Sequence, residues 1–205
     1  MSGVRITGGA WRGRRLEVPR GTTTRPTTDK VRQAIFNSLT SMLGALAELQ
    51  VLDLYAGSGA LSFEALSRGA AHAVMVECDH DARRVIAANA GTLGCEERVE
   101  VVAGTLAPAR PSAAIGPLMA RLPRAADLIF VDPPYDTAPQ EVAALLTDIA
   151  STRVCAVGAL VVYERGVSSA QSTLATFEPP AGFALLREKE YGSTTVSYVQ
   201  YKGVL

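Results

Sequence analysis

The tetrapeptide Asp132-Pro133-Pro134-Tyr135 carries a carboxylate, bare backbone carbonyls and an aromatic ring. It follows the apolar run Leu128 to Val131, which is typical of a strand buried on both faces. Because prolines cannot donate to a sheet ladder and fix φ, the strand must end in a stiff turn. The acid and the prolyl carbonyl could accept both N–H bonds of a nucleobase amino group while its nitrogen attacks an electrophile, and the ring could stack on the base. The competing interpretation is an ordinary turn with an acidic turn former.

A second group of residues could hold the electrophile. The loop Asp53-Leu54-Tyr55-Ala56-Gly57-Ser58-Gly59 follows an apolar segment, and its glycines let the backbone approach a ligand closely. Glu77 ends the next apolar segment, where an acid binds both ribose hydroxyls of a nucleotide-type ligand. Ser62 replaces the third glycine of a dinucleotide fingerprint, and Asp53 would repel a pyrophosphate but suit a sulfonium or a cationic amino-acid group. The pattern favours S-adenosylmethionine (SAM) over a nicotinamide dinucleotide.

Both groups require a sheet whose strands end at a common edge, because ligands of open α/β sheets bind at the carboxyl ends of the strands. Strand and helix patterns alternate after residue 50, which is typical of a doubly wound α/β fold. The predicted strands are 51–55, 73–77, 99–102, 128–132, 159–164, 183–186 and 194–199, and the predicted helices are 29–46, 60–68, 80–93 and 138–150. The last two strands form a closing hairpin in this interpretation, so the final strand pair should be antiparallel.

The first 32 residues are strongly basic, although the whole chain is neutral. They contain eight of the 20 lysine and arginine residues and two of the 20 acids, and such asymmetry favours a polyanion-binding end. Residues 4–19 have the alternation and the glycines of a β-hairpin, and a Thr27 or Thr28 cap should start a helix near Asp29. Because the charges accompany Trp11 and several glycines, we favour nucleic acid as the partner over a merely solvated surface.

Composition excludes several other classes. With 205 residues, of which 48% are apolar, the chain fits one domain with a small appendage. Its apolar runs are too short for a membrane span, and it opens without a signal-peptide pattern, so we expect a cytoplasmic protein. Its three cysteines lack metal-like spacing and predict reduced thiols. Neither a metal cluster nor a Ser/His/Asp set stands out.

Four motifs carry a family resemblance. They are Arg5-Ile6-Thr7-Gly8-Gly9-Ala10-Trp11-Arg12-Gly13-Arg14-Arg15-Leu16, Arg25-Pro26-Thr27-Thr28-Asp29-Lys30-Val31-Arg32, Asp53-Leu54-Tyr55-Ala56-Gly57-Ser58-Gly59-Ala60-Leu61 and Asp132-Pro133-Pro134-Tyr135. Over nearly its whole length the chain resembles the bacterial enzymes that methylate a guanine N2 of 16S ribosomal RNA (the RsmD type). The last two motifs alone indicate only a SAM-dependent amino-methyltransferase, and the N-terminal motifs indicate the subfamily.

The resemblance implies a Rossmann-like SAM-dependent methyltransferase fold, a doubly wound seven-stranded sheet with an antiparallel last strand. Residues 1–28 would be a basic N-terminal hairpin extension, and residues 29–205 the methyltransferase domain. The implied cofactor is SAM. The implied acceptor is a 16S rRNA guanine of the guanine(966)-N2 type, presented in the assembled 30S subunit to a monomeric enzyme.

The resemblance also implies roles for individual residues. Asp53, Gly57 and Gly59 would lie along the methionine part of SAM, and Glu77 would bind the ribose. The full implied cofactor set is Asp53, Tyr55, Ala56, Gly57, Ser58, Gly59, Glu77, Cys78, Thr105 and Asp132; the implied catalytic residues are Asp132, Pro133, Pro134 and Tyr135; the implied RNA-binding residues are Arg5, Trp11, Arg12, Arg14, Arg15, Arg25, Lys30 and Arg32. Family members often carry an acid near the adenine where this chain has Thr105, and the loop at 107–117 is longer than usual.

Two alternatives remain open. The four-residue motif also permits a DNA amino-methyltransferase that acts on adenine N6 or cytosine N4, although the chain has no obvious separate base-recognition domain. Methylation at cytosine C5 needs a cysteine nucleophile, which the 132–135 turn lacks. From a different class, the chain could be a non-catalytic rRNA-binding assembly protein that keeps the fold.

Overall fold

The structure, a computed structural model, describes residues 4–19, 28–106, 115–166 and 177–203. The chain divides into two compact units, Met1–Thr105 and Leu106–Leu205. The described elements of the first unit are β1 (Val4–Arg5), β2 (Arg15–Leu16), α1 (Asp29–Leu43), β3 (Gln50–Asp53), α2 (Ala60–Ser67), β4 (His72–Glu77), α3 (His80–Leu93), a 3-10 turn (Glu96–Arg98) and β5 (Val99–Ala103). Those of the second are a 3-10 turn (Gly116–Ala120), β6 (Ala126–Val131), α4 (Pro139–Ser151), β7 (Cys155–Gly166), β8 (Phe183–Tyr191) and β9 (Thr194–Tyr201).

The main sheet has seven strands among the described residues, in the order β5-β4-β3 within the first unit and β6-β7-β9-β8 within the second. In the first unit β4 pairs in parallel with β3 and β5, and in the second unit β6 pairs in parallel with β7. β9 runs antiparallel to both β7 and β8. The predicted α/β sheet with an antiparallel final pair is confirmed.

The strands that end at the candidate sites are apolar and buried. All four residues of β3 are buried, and the last four residues of β6 are fully buried. Such continuous burial is typical of parallel strands covered on both faces. In the first unit α2 packs on β3 and β4, and α3 packs on β4 and β5. This packing fixes the two strand ends that carry Asp53 and Glu77.

Element boundaries differ from the sequence prediction where glycine controls the backbone. α1 begins at Asp29, directly after the N-cap Thr28, whose Oγ1 accepts from the Val31 N–H at 3.3 Å. It ends at Leu43 rather than at residue 46, because Gly44 has a φ of 74°. β7 begins at Cys155 rather than at residue 159, with an irregular register around Gly158, whose φ is 91°. A glycine inside a strand pattern hides such an extension from sequence analysis.

The N-terminal hairpin is short and packs on α2. β1 and β2 pair over two residues each, and the connecting residues carry further hydrogen bonds, including Ile6 N–H to the Arg14 carbonyl at 3.0 Å. The Ala10 N–H donates to the Ser67 carbonyl at 2.7 Å. A Cβ on Gly9 would lie 1.9 Å from that same carbonyl oxygen, so only glycine permits this approach. The hairpin is thus a packed part of the first unit, and the predicted boundary after residue 28 stays a prediction.

Among the described residues, none of the helices combines the length and apolar character needed to cross a membrane.

Candidate cofactor and acceptor sites

The cofactor loop (residues 54–59) joins β3 to α2. The Gly59 N–H donates to the Ala56 carbonyl at 2.7 Å, which closes a tight turn. Gly57 and Gly59 have φ values of 55° and 77°, in the left-handed region that favours glycine. A Cβ on Gly59 would lie 2.6 Å from the Phe63 ring, whereas a Cβ on Gly57 would meet nothing within 4 Å. Gly59 is therefore required for packing, and the space beside Gly57 is open to a ligand.

Glu77 closes one side of this loop. Its Oε2 accepts from the Gly57 N–H at 2.8 Å, and its Oε1 accepts from the Asp79 N–H at 2.8 Å. Both oxygens bond to backbone donors, and the residue is half-buried at the end of β4. An acid held in this position can bind the two hydroxyls of a ribose.

Asp53, the last residue of β3, is 1% exposed. Its Oδ2 accepts from the Ser62 hydroxyl at 2.8 Å, while Oδ1 is buried without a hydrogen-bond partner among the described residues. Burial raises the pKa of Asp53 to about 7; the Ser62 hydrogen bond opposes this shift, and the nearby charge of Glu77 adds to it. A buried acid is costly until a donor or a cation reaches it, and the predicted contact of Asp53 with SAM stays a prediction.

Asp53 should lower the stability of the fold as the pH rises from about 4 to about 7. Its folded pKa lies above the unfolded value, so the folded state holds the proton more tightly and loses stability when the acid ionises. Asp53→Asn should remove this loss. Urea unfolding at several pH values across that window should show that the free energy of unfolding of the variant, relative to that of the wild type, increases with pH. A difference that does not change with pH would contradict the buried, proton-binding state of Asp53.

The remaining predicted cofactor contacts of the first unit differ in exposure. Tyr55 and Ser58 are half-buried, Ala56 is buried, and Cys78 and Thr105 are exposed. The Cys78 thiol donates to Glu77 Oε1 at 3.5 Å, and partial burial together with the Glu77 charge raises the pKa of Cys78. Cys78 is therefore a protonated thiol at neutral pH, and the contacts of these residues with a cofactor stay predictions.

The acceptor turn (residues 132–135) follows β6 directly. Asp132 is half-buried, Pro133 is buried, and Tyr135 is 56% exposed. The Pro134 carbonyl accepts from the Thr137 N–H at 2.9 Å, which stiffens the chain after the prolines. A cleft in the second unit is lined by Pro133, Pro134, Tyr135, Tyr163, Arg165 and Gly166, together with residues 136–139. Asp132 immediately precedes these lining residues and is not one of them.

Tyr135 lies against the backbone of Gly166. A Cβ on Gly166 would come within 2.2 Å of the Tyr135 ring, so glycine is required there. Arg165, in the same cleft, bonds to Glu188 at 3.1 Å, and the Ser197 hydroxyl donates to the same carboxylate oxygen at 2.6 Å. The cleft thus offers an exposed aromatic ring beside an oriented guanidinium, two groups that suit a nucleotide. Neither Gly166 nor Arg165 was singled out from the sequence.

Comparison with known proteins decides the family. The family described as Conserved hypothetical protein 95 matches residues 4–200.

The chain belongs to this family.

Relatives support the same conclusion. Ribosomal RNA small subunit methyltransferase D of Escherichia coli (strain K12) is 35% identical over 200 residues, which cover 97% of this chain and 89% of that protein. YlbH of Bacillus subtilis (strain 168) is 33% identical over 98% of this chain and 100% of its own length. The solved structure of yhhF from Escherichia coli has a TM-score of 0.75 at 31% identity and covers 98% of this chain and 99% of that one. The predicted family resemblance is confirmed.

In this member of the Conserved hypothetical protein 95 family, several predicted RNA-binding residues are exposed. Within that predicted set, the exposed cations that make no side-chain hydrogen bond or ion pair with the described residues are Arg5, Arg12, Arg15 and Lys30. Arg14 is exposed but donates to the Thr92 carbonyl at 2.6 Å. Trp11 is half-buried, with the Arg98 guanidinium 5.6 Å from its ring centroid. Trp11 therefore already packs against a cation of the first unit.

Arg32 is a correction to the predicted RNA-binding set. It is 1% exposed, lies 3.6 Å from the buried carboxylate of Glu64, and donates to Asp29 at 2.6 Å and to the Arg5 carbonyl. A buried, paired guanidinium cannot reach a phosphate, so Arg32 stabilises the hairpin and α1. Arg25 lies outside the described residues.

Two further polar residues connect the hairpin to the helices of the first unit; for one of them, Asn89, the sequence leaves open a place on the helix surface or a role in supporting the cofactor loop. Glu64, fully buried on α2, accepts from the Thr7 N–H and hydroxyl at 2.7 and 2.8 Å and from Arg68 at 2.8 Å. Asn89, 2% exposed on α3, bonds to Glu17 and to Ser58 of the cofactor loop. A weak sequence signal exists for Glu64, an acid in the largely apolar segment that follows the glycine loop.

Proposed function

We propose that this protein methylates the exocyclic N2 amino group of one guanine in 16S rRNA, of the guanine(966)-N2 type, within the assembled 30S subunit and as a monomer. The coarser activity, SAM-dependent methylation of RNA, is the activity class of the family to which the chain belongs. The observation that carries the finer proposal is the acceptor turn: an acid and two prolines directly after a buried strand, beside a cleft with an exposed tyrosine.

The first unit would hold the cofactor. SAM, when bound, supplies a methyl group on a sulfonium. Asp53 would pair with the ammonium group, which satisfies the oxygen that is otherwise buried without a partner. Glu77 would exchange its bond to the Gly57 N–H for the ribose hydroxyls. The open space beside Gly57 would admit the ligand backbone.

The acceptor turn would hold the guanine. The Asp132 carboxylate and the Pro133 carbonyl would each accept one N–H of the amino group, which favours a pyramidal nitrogen with an available lone pair. The nitrogen would take the methyl group that SAM supplies, and its proton would pass to water after the transfer. Asp132 would stabilise the positive charge on nitrogen, and Tyr135 would stack on a base turned out of its helix. Most of the acceleration should come from alignment and charge placement.

The exposed hairpin arginines should contribute to RNA binding. Arg12 and Arg15 are exposed, and their side chains make no hydrogen bond or ion pair with the described residues, so each can neutralise a phosphate. Replacing both with alanine should weaken rRNA binding and reduce the slope of log Kd against log salt by about 1.5. Filter binding at several salt concentrations measures both quantities.

Arg187→Ala is the matched control for this prediction, because Arg187 is an exposed arginine on β8 of the second unit. It should leave the salt dependence within error of the wild type. Equal effects of the hairpin and control variants would show that the hairpin contributes only general charge.

Methyl incorporation into three acceptors tests the function. Labelled SAM is supplied with naked 16S rRNA, with small-subunit particles from cells lacking the protein, and with DNA, and the products are analysed by nucleoside mass spectrometry. We expect N2-methylguanine in rRNA, mainly from particles. Methylated adenine or cytosine in DNA would favour the DNA amino-methyltransferase, and SAM binding without turnover on any acceptor would favour the assembly protein.

A further inference from the structure

The side chain of Asn89 connects the N-terminal hairpin to the cofactor loop. Its Oδ1 accepts from the Glu17 N–H at 2.8 Å, and its Nδ2 donates to the Glu17 carbonyl at 3.0 Å. The same Nδ2 donates to the Ser58 carbonyl at 3.2 Å. Glu17 directly follows β2, and Ser58 lies between the two glycines with positive φ. One buried amide therefore joins a segment that carries exposed arginines to the loop that would hold SAM.

The chemistry of this contact requires an amide. Glu17 presents a backbone N–H and a backbone carbonyl. The amide of an asparagine has one acceptor and two donors, so it can bond to both groups, as the backbone of a neighbouring strand would. The second amide hydrogen is then available for Ser58. An ionised aspartate offers only acceptors, so it would face the two carbonyl oxygens without a donor. Alanine would leave three backbone groups without their partner at a site where Asn89 is only 2% exposed.

The contact also fixes a flexible part of the loop. Because Gly57 and Gly59 flank Ser58 and tolerate many backbone conformations, the peptide group after Ser58 could rotate. Its carbonyl is held by Asn89, and the N–H of the same peptide group donates to the Ala56 carbonyl at 2.7 Å. Asn89 thus sets the orientation of a peptide group in the loop that would contact the cofactor.

We propose that Asn89 is a positioning residue that couples the hairpin to the cofactor loop, so that a ligand bound to either one stabilises the other. The coupling is reciprocal by thermodynamic linkage: a hairpin held on its ligand orders the Ser58 peptide for SAM, and SAM orders the hairpin. The inference rests on the proposed function in naming RNA as the ligand of the hairpin and SAM as the ligand of the loop.

Hydrogen exchange with and without S-adenosylhomocysteine, the product of methyl transfer, tests the coupling without RNA or turnover. The reporters are the Ile6 and Gly13 amides, which bond within the hairpin to Arg14 and Ile6 carbonyls and do not contact Asn89. In the wild type, saturating S-adenosylhomocysteine should slow their exchange about fivefold or more. In Asn89→Ala, this dependence on the ligand should vanish, and the Kd for S-adenosylhomocysteine by calorimetry should rise about tenfold.

Ser67→Ala is the matched control. The Ser67 hydroxyl accepts from the Trp11 N–H at 2.9 Å and donates to the Gly8 carbonyl at 2.6 Å, so its loss also loosens the hairpin. It leaves the bond between Asn89 and Ser58 intact. Exchange should then be faster with and without ligand, but the ligand should still slow it, and the Kd should stay within about twofold of the wild type.

Two results would overturn the coupling. The first is that S-adenosylhomocysteine does not slow hairpin exchange in the wild type. The second is that it still slows hairpin exchange in Asn89→Ala. Asn89→Asp, which keeps the size of the side chain, provides the same test should the alanine variant fold poorly. The exchange experiment contains no RNA, so a negative result there leaves the methyltransferase proposal standing. If no acceptor is methylated in the incorporation assay, the coupling can still be measured.

Discussion

Asp132→Ala should reduce methyl transfer by about 10²- to 10³-fold while changing the Kd for SAM less than about threefold. In the proposed mechanism the carboxylate bonds to the acceptor amine and stabilises a charge that is largest in the transition state. Its removal therefore lowers the rate of the chemical step and leaves most of the cofactor contacts in the first unit intact. Single-turnover kinetics with small-subunit particles, together with calorimetry for SAM, separate the two effects.

A graded comparison sharpens this prediction. Asp132→Asn keeps an acceptor oxygen but loses the charge, so its rate should lie between those of the wild type and Asp132→Ala. Asp148→Ala on α4 is the matched control, because Asp148 makes no side-chain hydrogen bond or ion pair with the described residues, and its rate should stay close to wild type. Equal losses of rate and of SAM affinity in Asp132→Ala would argue against the assigned role.

Glu64→Ala should destabilise the protein by about 3–5 kcal/mol, the range for breaking a buried ion pair from one side. Glu64 is fully buried and accepts from Thr7 and Arg68, and Arg32 lies 3.6 Å away at 1% exposure. Without the carboxylate, Arg32 loses a buried acidic partner and keeps its bond to the half-buried Asp29. The hairpin should detach first, because the Thr7 amide loses its acceptor. Urea denaturation gives the free energy, and exchange of the Thr7 amide reports the local effect.

The control here is Glu97→Ala, which removes an exposed acid from a 3-10 turn of the same unit. Its effect should stay within about 0.5 kcal/mol. Glu64→Gln, which retains oxygen and nitrogen atoms at the site but loses the charge, should fall between the two. A loss near 1 kcal/mol for Glu64→Ala would mean that the pair of Glu64 and Arg32 is hydrated in solution and stabilises the fold less than its burial implies.

The parts of the fold set by local pattern were predictable from the sequence. The apolar runs that end at Asp53 and Asp132 predicted buried parallel strands, and the structure has β3 and β6 there. The two prolines end β6 because they cannot donate, and Gly57, a glycine predicted to let a ligand approach the backbone, has open space beside it. These features depend on chemistry within a few residues and need no knowledge of distant contacts.

Contacts between distant segments were not predictable in this way. Arg32 was assigned to RNA because it belongs to a basic segment, but its partner Glu64 lies 32 residues further along and draws it into the interior. A polar residue on a helix is ordinarily exposed, so Asn89 gave no signal of its bond to Glu17, 72 residues away. Gly166 gave none either, since the Tyr135 ring that requires it comes from another strand end.

The most direct test of the central claim replaces a single base. Small-subunit particles are assembled with inosine in place of the guanine that mass mapping identifies; inosine differs from guanosine only by lacking the N2 amino group. We predict full methylation of the guanine particle and no incorporation at that nucleotide in the inosine particle, with the Kd of the particle nearly unchanged. Methyl transfer to the inosine at an undiminished rate would show that another atom is the acceptor and would contradict the account.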